Sequence, residues 1–113
     1  MQRIILRIAF AVVFVCFANL IFPSSLRAQN DVAKAFSANC ILCHSANGSG
    51  DSVSGKALKA KDLRSDEVQK KSDAELAEFI TKGQGQMPAF GPKLSADMIK
   101  SLVAYIRNLP KKK

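Results

Sequence analysis

Cys40-Ile41-Leu42-Cys43-His44 decides how the rest of this 113-residue chain is read. Two cysteines separated by two residues can add through sulfur to the two vinyl groups of one haem. A histidine directly after the second cysteine is then carried beneath the porphyrin with its imidazole at the iron, which is the spacing of c-type haem attachment. A structural zinc site needs about four cysteine or histidine ligands; the chain holds three cysteines and one histidine, and Cys16 lies in the N-terminal segment read below as removed or membrane-embedded, so zinc is short of ligands unless carboxylates complete the site. A thioredoxin-like dithiol belongs to a βαβ setting, and no parallel-sheet pattern exists here. A disulfide between Cys40 and Cys43 leaves His44 unexplained. The expected cofactor is one covalently held haem c with its iron.

Residues 1–28 read as a signal peptide. Arg3 and Arg7 give a positive start, Ile8 to Phe22 is apolar apart from Asn19, and Pro23-Ser24-Ser25 breaks the run before a cleavage site at Leu26-Arg27-Ala28. The apolar run of 15 residues falls short of the about 20 that a membrane span needs. An uncleaved N-terminal anchor facing the periplasm is the alternative. Cys16 follows the bulky Phe14 and Val15, where lipidation boxes carry small residues, so lipidation is rejected. Cleavage after Ala28 leaves 85 residues, 29–113: one small domain with a short lysine tail at 111–113. A domain of this size buries only about 60% of its surface unaided, and a covalent haem gives its helices a large apolar plate to pack on. The expected compartment is the bacterial periplasm or an equivalent exported space.

The formal charge of +8 falls to +5 once Arg3, Arg7 and Arg27 leave with the leader. No aromatic residues interleave with the basic ones in the manner of single-strand readers, so nucleic acid is not the expected partner. Redox donor and acceptor proteins with acidic docking surfaces make better use of the charge. Lys56, Lys59, Lys61, Lys82 and Lys93 flank the ligand-bearing segments and are the docking candidates. A membrane is a partner only if the leader is retained, and the expected state is a monomer.

Along the mature chain the periodicity is helical. Val32, Ala35, Phe36 and Asn39 predict a short helix over 31–39, capped by Asn30 or Asp31. Residues 45–55 turn to serine, asparagine, glycine and aspartate, a loop composition. Residues 56–71 are lysine-rich and read as loop with one helical turn. Ser72 and Glu75 form a capping-box pattern for a helix to Lys82, stopped by Gly83. Gly83-Gln84-Gly85-Gln86-Met87-Pro88 reads as an irregular loop. A last helix runs from Ser95 to about Asn108 with one broad apolar face. The fold class is all-α, with about three to four helices around the haem.

A haem iron held by one histidine needs a sixth ligand or stays open to small molecules. The chain has no second histidine, and methionine is the soft alternative that raises the potential. Met98 sits on the apolar face of the last helix and reads as core filler. Met87 lies 43 residues after His44, in a glycine-rich loop, before a proline that biases it to extended backbone. Met87 is therefore the expected ligand opposite His44.

With these residues placed, the chain resembles a class I cytochrome c of the small single-haem type that includes the cytochrome c6-like carriers. The resemblance covers residues 30–109: Phe36 four residues before Cys40, the attachment motif, Met87-Pro88, and Leu102-Val103-Ala104-Tyr105-Ile106. It implies that the first and last helices cross near the haem, through Phe36 and the face around Tyr105. It also implies one-electron transfer outside the cytoplasm rather than enzymatic catalysis. A haem-based gas or redox sensor, or a fixed cytochrome subunit of a larger membrane redox complex, are the rival functions. Two departures stand out. Ser45 replaces a common glycine, and no proline between His44 and Met87 offers its carbonyl to the proximal imidazole, a role that another backbone carbonyl must fill.

Overall fold

The computed structural model describes residues 1–2 and 24–111. The positive start and apolar run of the leader, with Cys16, lie outside the described residues, as do the last two lysines of the tail. The chain falls into two units, Met1–Asp31 and Val32–Lys113. In the first unit, residues 26–31 are helical and exposed.

Among the described residues the regular elements are helices, with no strand. They are α1 (Ser24–Asn39), α2 (Ile41–His44), α3 (Val53–Leu58), α4 (Asp66–Gln69), α5 (Asp73–Lys82) and α6 (Ala96–Arg107). The all-α class holds, with six helices among the described residues in place of three to four. Three of them are too short to show a period: α2 lies within the attachment motif, and the other two, α3 and α4, fall in the stretches that read as loop and as loop with one helical turn. Each of the latter two nevertheless has a serine cap: the Ser52 side chain accepts from the Gly55 N–H, and that of Ser65 from the Val68 N–H. Helix α1 begins at Ser24, well before the expected start at Asp31, because Leu26, Arg27, Ala28 and Gln29 are good helix formers with no breaker after Pro23.

Helix α5 starts on the anticipated capping box: Ser72 accepts from the Glu75 N–H, and the Glu75 carboxylate accepts from the Ser72 N–H. Helix α6 starts on Ser95, whose side chain accepts from the Met98 N–H. These two helices pack together. Ile99, Leu102, Val103 and Ile106 from α6 meet Leu76 and Ile80 from α5, Val68 from α4, and Val32 and Phe36 from α1. Phe36 and Leu102 are the most completely buried side chains. The Phe36 and Tyr105 rings lie 4.9 Å apart between centroids, tilted by 40°, so the first and last helices meet through the residues named for that contact.

Arg107 closes the last turn of α6 against the α4–α5 connection. Its guanidinium donates to the carbonyls of Gln69 (2.8 Å) and Lys71 and to the Asp73 carboxylate (2.9 Å). Gln69 in turn donates to the Leu63 carbonyl at 2.7 Å. The segment carrying residues 61–73 is thereby fastened to the core helix by polar contacts as well as by Val68.

Candidate haem site

The attachment motif occupies the start of the polar segment, where α1 ends and the one-turn helix α2 begins. Every carbonyl along it finds a donor. The Cys43 and His44 N–H groups bond the Cys40 carbonyl, Ser45 N–H bonds that of Ile41, and Gly50 N–H that of His44. The remaining two are met from outside: the Ser52 hydroxyl donates to Leu42 O at 2.7 Å and approaches Cys43 O at 3.2 Å. A helix end leaves such carbonyls orphaned unless something caps them. Here the cap is the following loop.

Ser45 explains its own departure from glycine. Its φ of +63° lies in the region that favours glycine, yet its hydroxyl accepts from the Ser52 N–H at 3.0 Å and donates to Asp51 Oδ1 at 2.8 Å. Ser49 donates to the same carboxylate oxygen. The loop 45–52 is thus a hydrogen-bonded latch under the motif. These bonds, Ser49's first and Ser45's second, hold the Asp51 carboxyl below its ordinary value of 3.8. A carboxyl lowered on folding contributes stability that is present above the unfolded value and lost as pH falls through the folded one. Asp51→Asn is therefore expected to flatten the fall in Tm below about pH 4 while changing neutral Tm through the lost bonds. Melting curves across the acid range check this.

A cavity of about 630 Å³ lies beside the motif, within the 300–1,000 Å³ usual for cofactor sites. Cys40, Cys43, His44 and Met87 all line it, with mostly apolar walls that include Phe36, Val68, Leu76, Ile80, Leu102 and Ile106. Leu42 and Leu58 line it too while remaining 71% and 42% exposed, so they mark its mouth. Met98 is not among the lining residues; it is half-buried and packs on the core.

His44 Nδ1 sits 2.9 Å from the Lys61 carbonyl oxygen. A carbonyl can only accept, so the ring proton belongs on Nδ1, and the Nε2 lone pair is left for a metal. Burial pushes the His44 pKa down, against the upward pull of that bond, which favours the neutral, ligating form. The Cys40 thiol is pushed up to about 11 by burial and by neighbouring Cys43. Neither Cys40 nor Cys43 is in a disulfide. Sequence reasoning left the acceptor for His44 open, and it proves to be Lys61. A backbone atom carries no residue-type signal, so nothing in the composition pointed there.

These residues fit a c-type haem: two unpaired thiols at the attachment spacing, an imidazole with Nε2 free, a thioether on the same cavity, and apolar walls. The relatives agree. A family model described as cytochrome C oxidase, cbb3-type, subunit III, matches residues 27–106. Cytochrome c6 of Microcystis aeruginosa is 41% identical over 76 residues, covering 67% of this chain and 90% of that protein. Cytochrome c6 of Gracilaria tenuistipitata var. liui is 32% identical over 108 residues, covering 91% and 94%. The cbb3-type cytochrome c oxidase subunit FixP of Azorhizobium caulinodans is 37% identical over 89 residues; 77% of this chain corresponds to only 29% of that protein. Among solved structures, the KustC0563 c-type cytochrome superposes with a TM-score of 0.64 at 32% identity, covering 71% of this chain and 96% of that one. The fold, the motif and these matches together make the chain a member of the small class I c-type cytochromes, electron carriers with a covalently bound haem c.

Proposed function

We propose that this cytochrome carries one electron at a time between a donor and an acceptor protein outside the cytoplasm. In this reading Cys40 and Cys43 tether the haem, His44 is the proximal ligand and Met87 the sixth. The observation that carries it is the convergence of both thiols, His44 and Met87 on one apolar cavity. When bound, the haem supplies the ferrous–ferric couple. The chain's own residues then set its behaviour. The Lys61 carbonyl orients the His44 ring and raises its basicity, the Met87 thioether favours a high potential, and the apolar walls keep water away.

The docking lysines separate into two groups. Lys61 pairs with Glu67 at 2.8 Å and Lys82 with Glu78 at 2.7 Å, whereas Lys56, Lys59 and Lys93 are exposed and make no ion pair among the described residues. Lys59 also lines the cavity beside Leu58, which favours it as a steering charge for an acidic partner. Residues 1–28 act as a cleaved export signal, and residues 29–113 as the monomeric carrier. Among the described residues no helix is long and apolar enough to cross a membrane. A second reading, a fixed cytochrome subunit of a larger redox complex, is supported by the match to FixP.

Intact-mass measurement of exported protein should show one added haem that survives acid–acetone extraction, on a chain starting near Gln29. Extractable haem, or bound zinc, would end the proposal. With the covalent holoprotein in hand, transfer to its acceptor should slow as ionic strength rises, because steered association is screened by salt. Stable co-purification with an oxidase or dehydrogenase would favour the fixed subunit instead.

A further inference from the structure

The segment bearing Met87 is a tight hairpin rather than an irregular loop. Gln84 and Met87 exchange two backbone hydrogen bonds, at 3.1 and 2.9 Å, around Gly85 and Gln86. After Pro88 the chain returns along the end of α5: Phe90 N–H bonds Ile80 O at 2.9 Å, and Gly91 N–H bonds Thr81 O at 3.0 Å. Both limbs of this closure meet α5 at a residue with no side chain. At Gly83, a Cβ would press on the Met87 carbonyl oxygen and come within 2.8 Å of the Ala89 nitrogen. Under 3.0 Å something must move, and the atoms there are backbone. At Gly91, a Cβ would lie 2.9 Å from Thr81 Cγ2 and 3.0 Å from Thr81 O.

Gly85 differs. It too has positive φ (+57°, against +72° at Gly83), yet nothing lies within 4 Å of a Cβ placed there. The two glycines of one hairpin thus share a positive φ but not a steric requirement. Gly83 has ψ 173° as well, a backbone state essentially confined to glycine, and the close approach to the Met87 carbonyl is found at Gly83 and not at Gly85.

We infer that Gly83 and Gly91 are positioning residues for the iron's sixth ligand, forming a side-chain-free clamp that fixes where Met87 stands over the cavity. This rests on Met87 being that ligand, as proposed above. The clamp acts by geometry. A methyl group at Gly83 displaces the backbone of Met87 itself, and one at Gly91 displaces the return limb four residues on. Either moves the thioether without touching Cys40, Cys43 or His44.

The test compares Gly83→Ala, Gly91→Ala and Gly85→Ala as full-length exported holoproteins, reading the weak red thioether-to-ferric-iron absorption and carbon monoxide binding to the reduced form. Gly83→Ala should lose most of that band and bind carbon monoxide at least tenfold faster, with covalent haem and helical circular dichroism retained. Gly91→Ala should weaken the band by a smaller amount, since Thr81 Cγ2 can rotate away. Gly85→Ala should lower the melting temperature through its backbone strain and keep the band. If Gly83→Ala yields no holoprotein, Gly91→Ala decides: an undiminished band overturns the clamp. Equal band loss in Gly83→Ala and Gly85→Ala also overturns it, since strain would then explain both. A wild-type protein that never shows the band refutes Met87 as ligand, a failure distinct from a wild-type band that survives Gly83→Ala.

Discussion

Met87→Ala is expected to abolish the red thioether band of the ferric protein, lower its reduction potential and open the iron to added ligands. Met98→Ala should leave all three unchanged. The contrast follows from position: Met87 lines the cavity with His44 and the two cysteines, and Met98 does not. Neutral sulfur favours ferrous over ferric iron. For a one-electron couple each tenfold preference is worth about 59 mV, so a hundredfold preference lost would lower the potential by about 120 mV. Met98 is half-buried against the core, so its truncation should cost less than the roughly 2–5 kcal/mol of a fully buried methionine. Absorption spectra and redox titration of both variants separate ligation from packing. Loss of the band in Met98→Ala with retention in Met87→Ala would reverse the assignment.

Phe36→Ala should be the most damaging core substitution, costing about 3–5 kcal/mol in urea unfolding of the holoprotein. Phe36 is 2% exposed, stacks near Tyr105 and also walls the cavity. Truncation therefore opens a void between the first and last helices and beside the cofactor at once. Domains of this kind have only about 5–15 kcal/mol in total, so a large share would go. Tyr105→Leu should cost far less, because Tyr105 is only half-buried and mainly the aromatic contact is lost, worth about 0.5–1.5 kcal/mol beyond area. A Phe36→Ala cost below about 1 kcal/mol would mean that this junction is not where the core is held.

How much of this was readable beforehand depends on what carried the signal. Helices α5 and α6 were legible because each pairs a serine cap with several turns of apolar spacing, ending in the buried row Ile99, Leu102, Val103 and Ile106. Helices α3 and α4 were not, since six and four residues cannot display a period; their caps, Ser52 and Ser65, were the only trace. At the site, thiols and imidazole announce themselves by residue type and spacing. The latch under them does not, because Ser45, Ser49, Asp51 and Ser52 look like ordinary loop composition until their bonds are seen. The Met87 hairpin looks irregular in sequence for a similar reason: its two defining bonds are between backbone atoms.

Lys61 has two faces that answer to different pressures. Its carbonyl holds the His44 ring, and its ammonium pairs with Glu67 at the surface. The first contact comes from the main chain, so almost any residue at this position can supply it; the second depends entirely on the side chain. With His44 as the proximal ligand and Lys61 as a docking charge, both as proposed, mutational drift can rewrite the charge shown to partners here while the main-chain bond that orients the ligand stays put. A lineage could exchange one docking partner for another through this residue without first passing through a carrier of altered driving force.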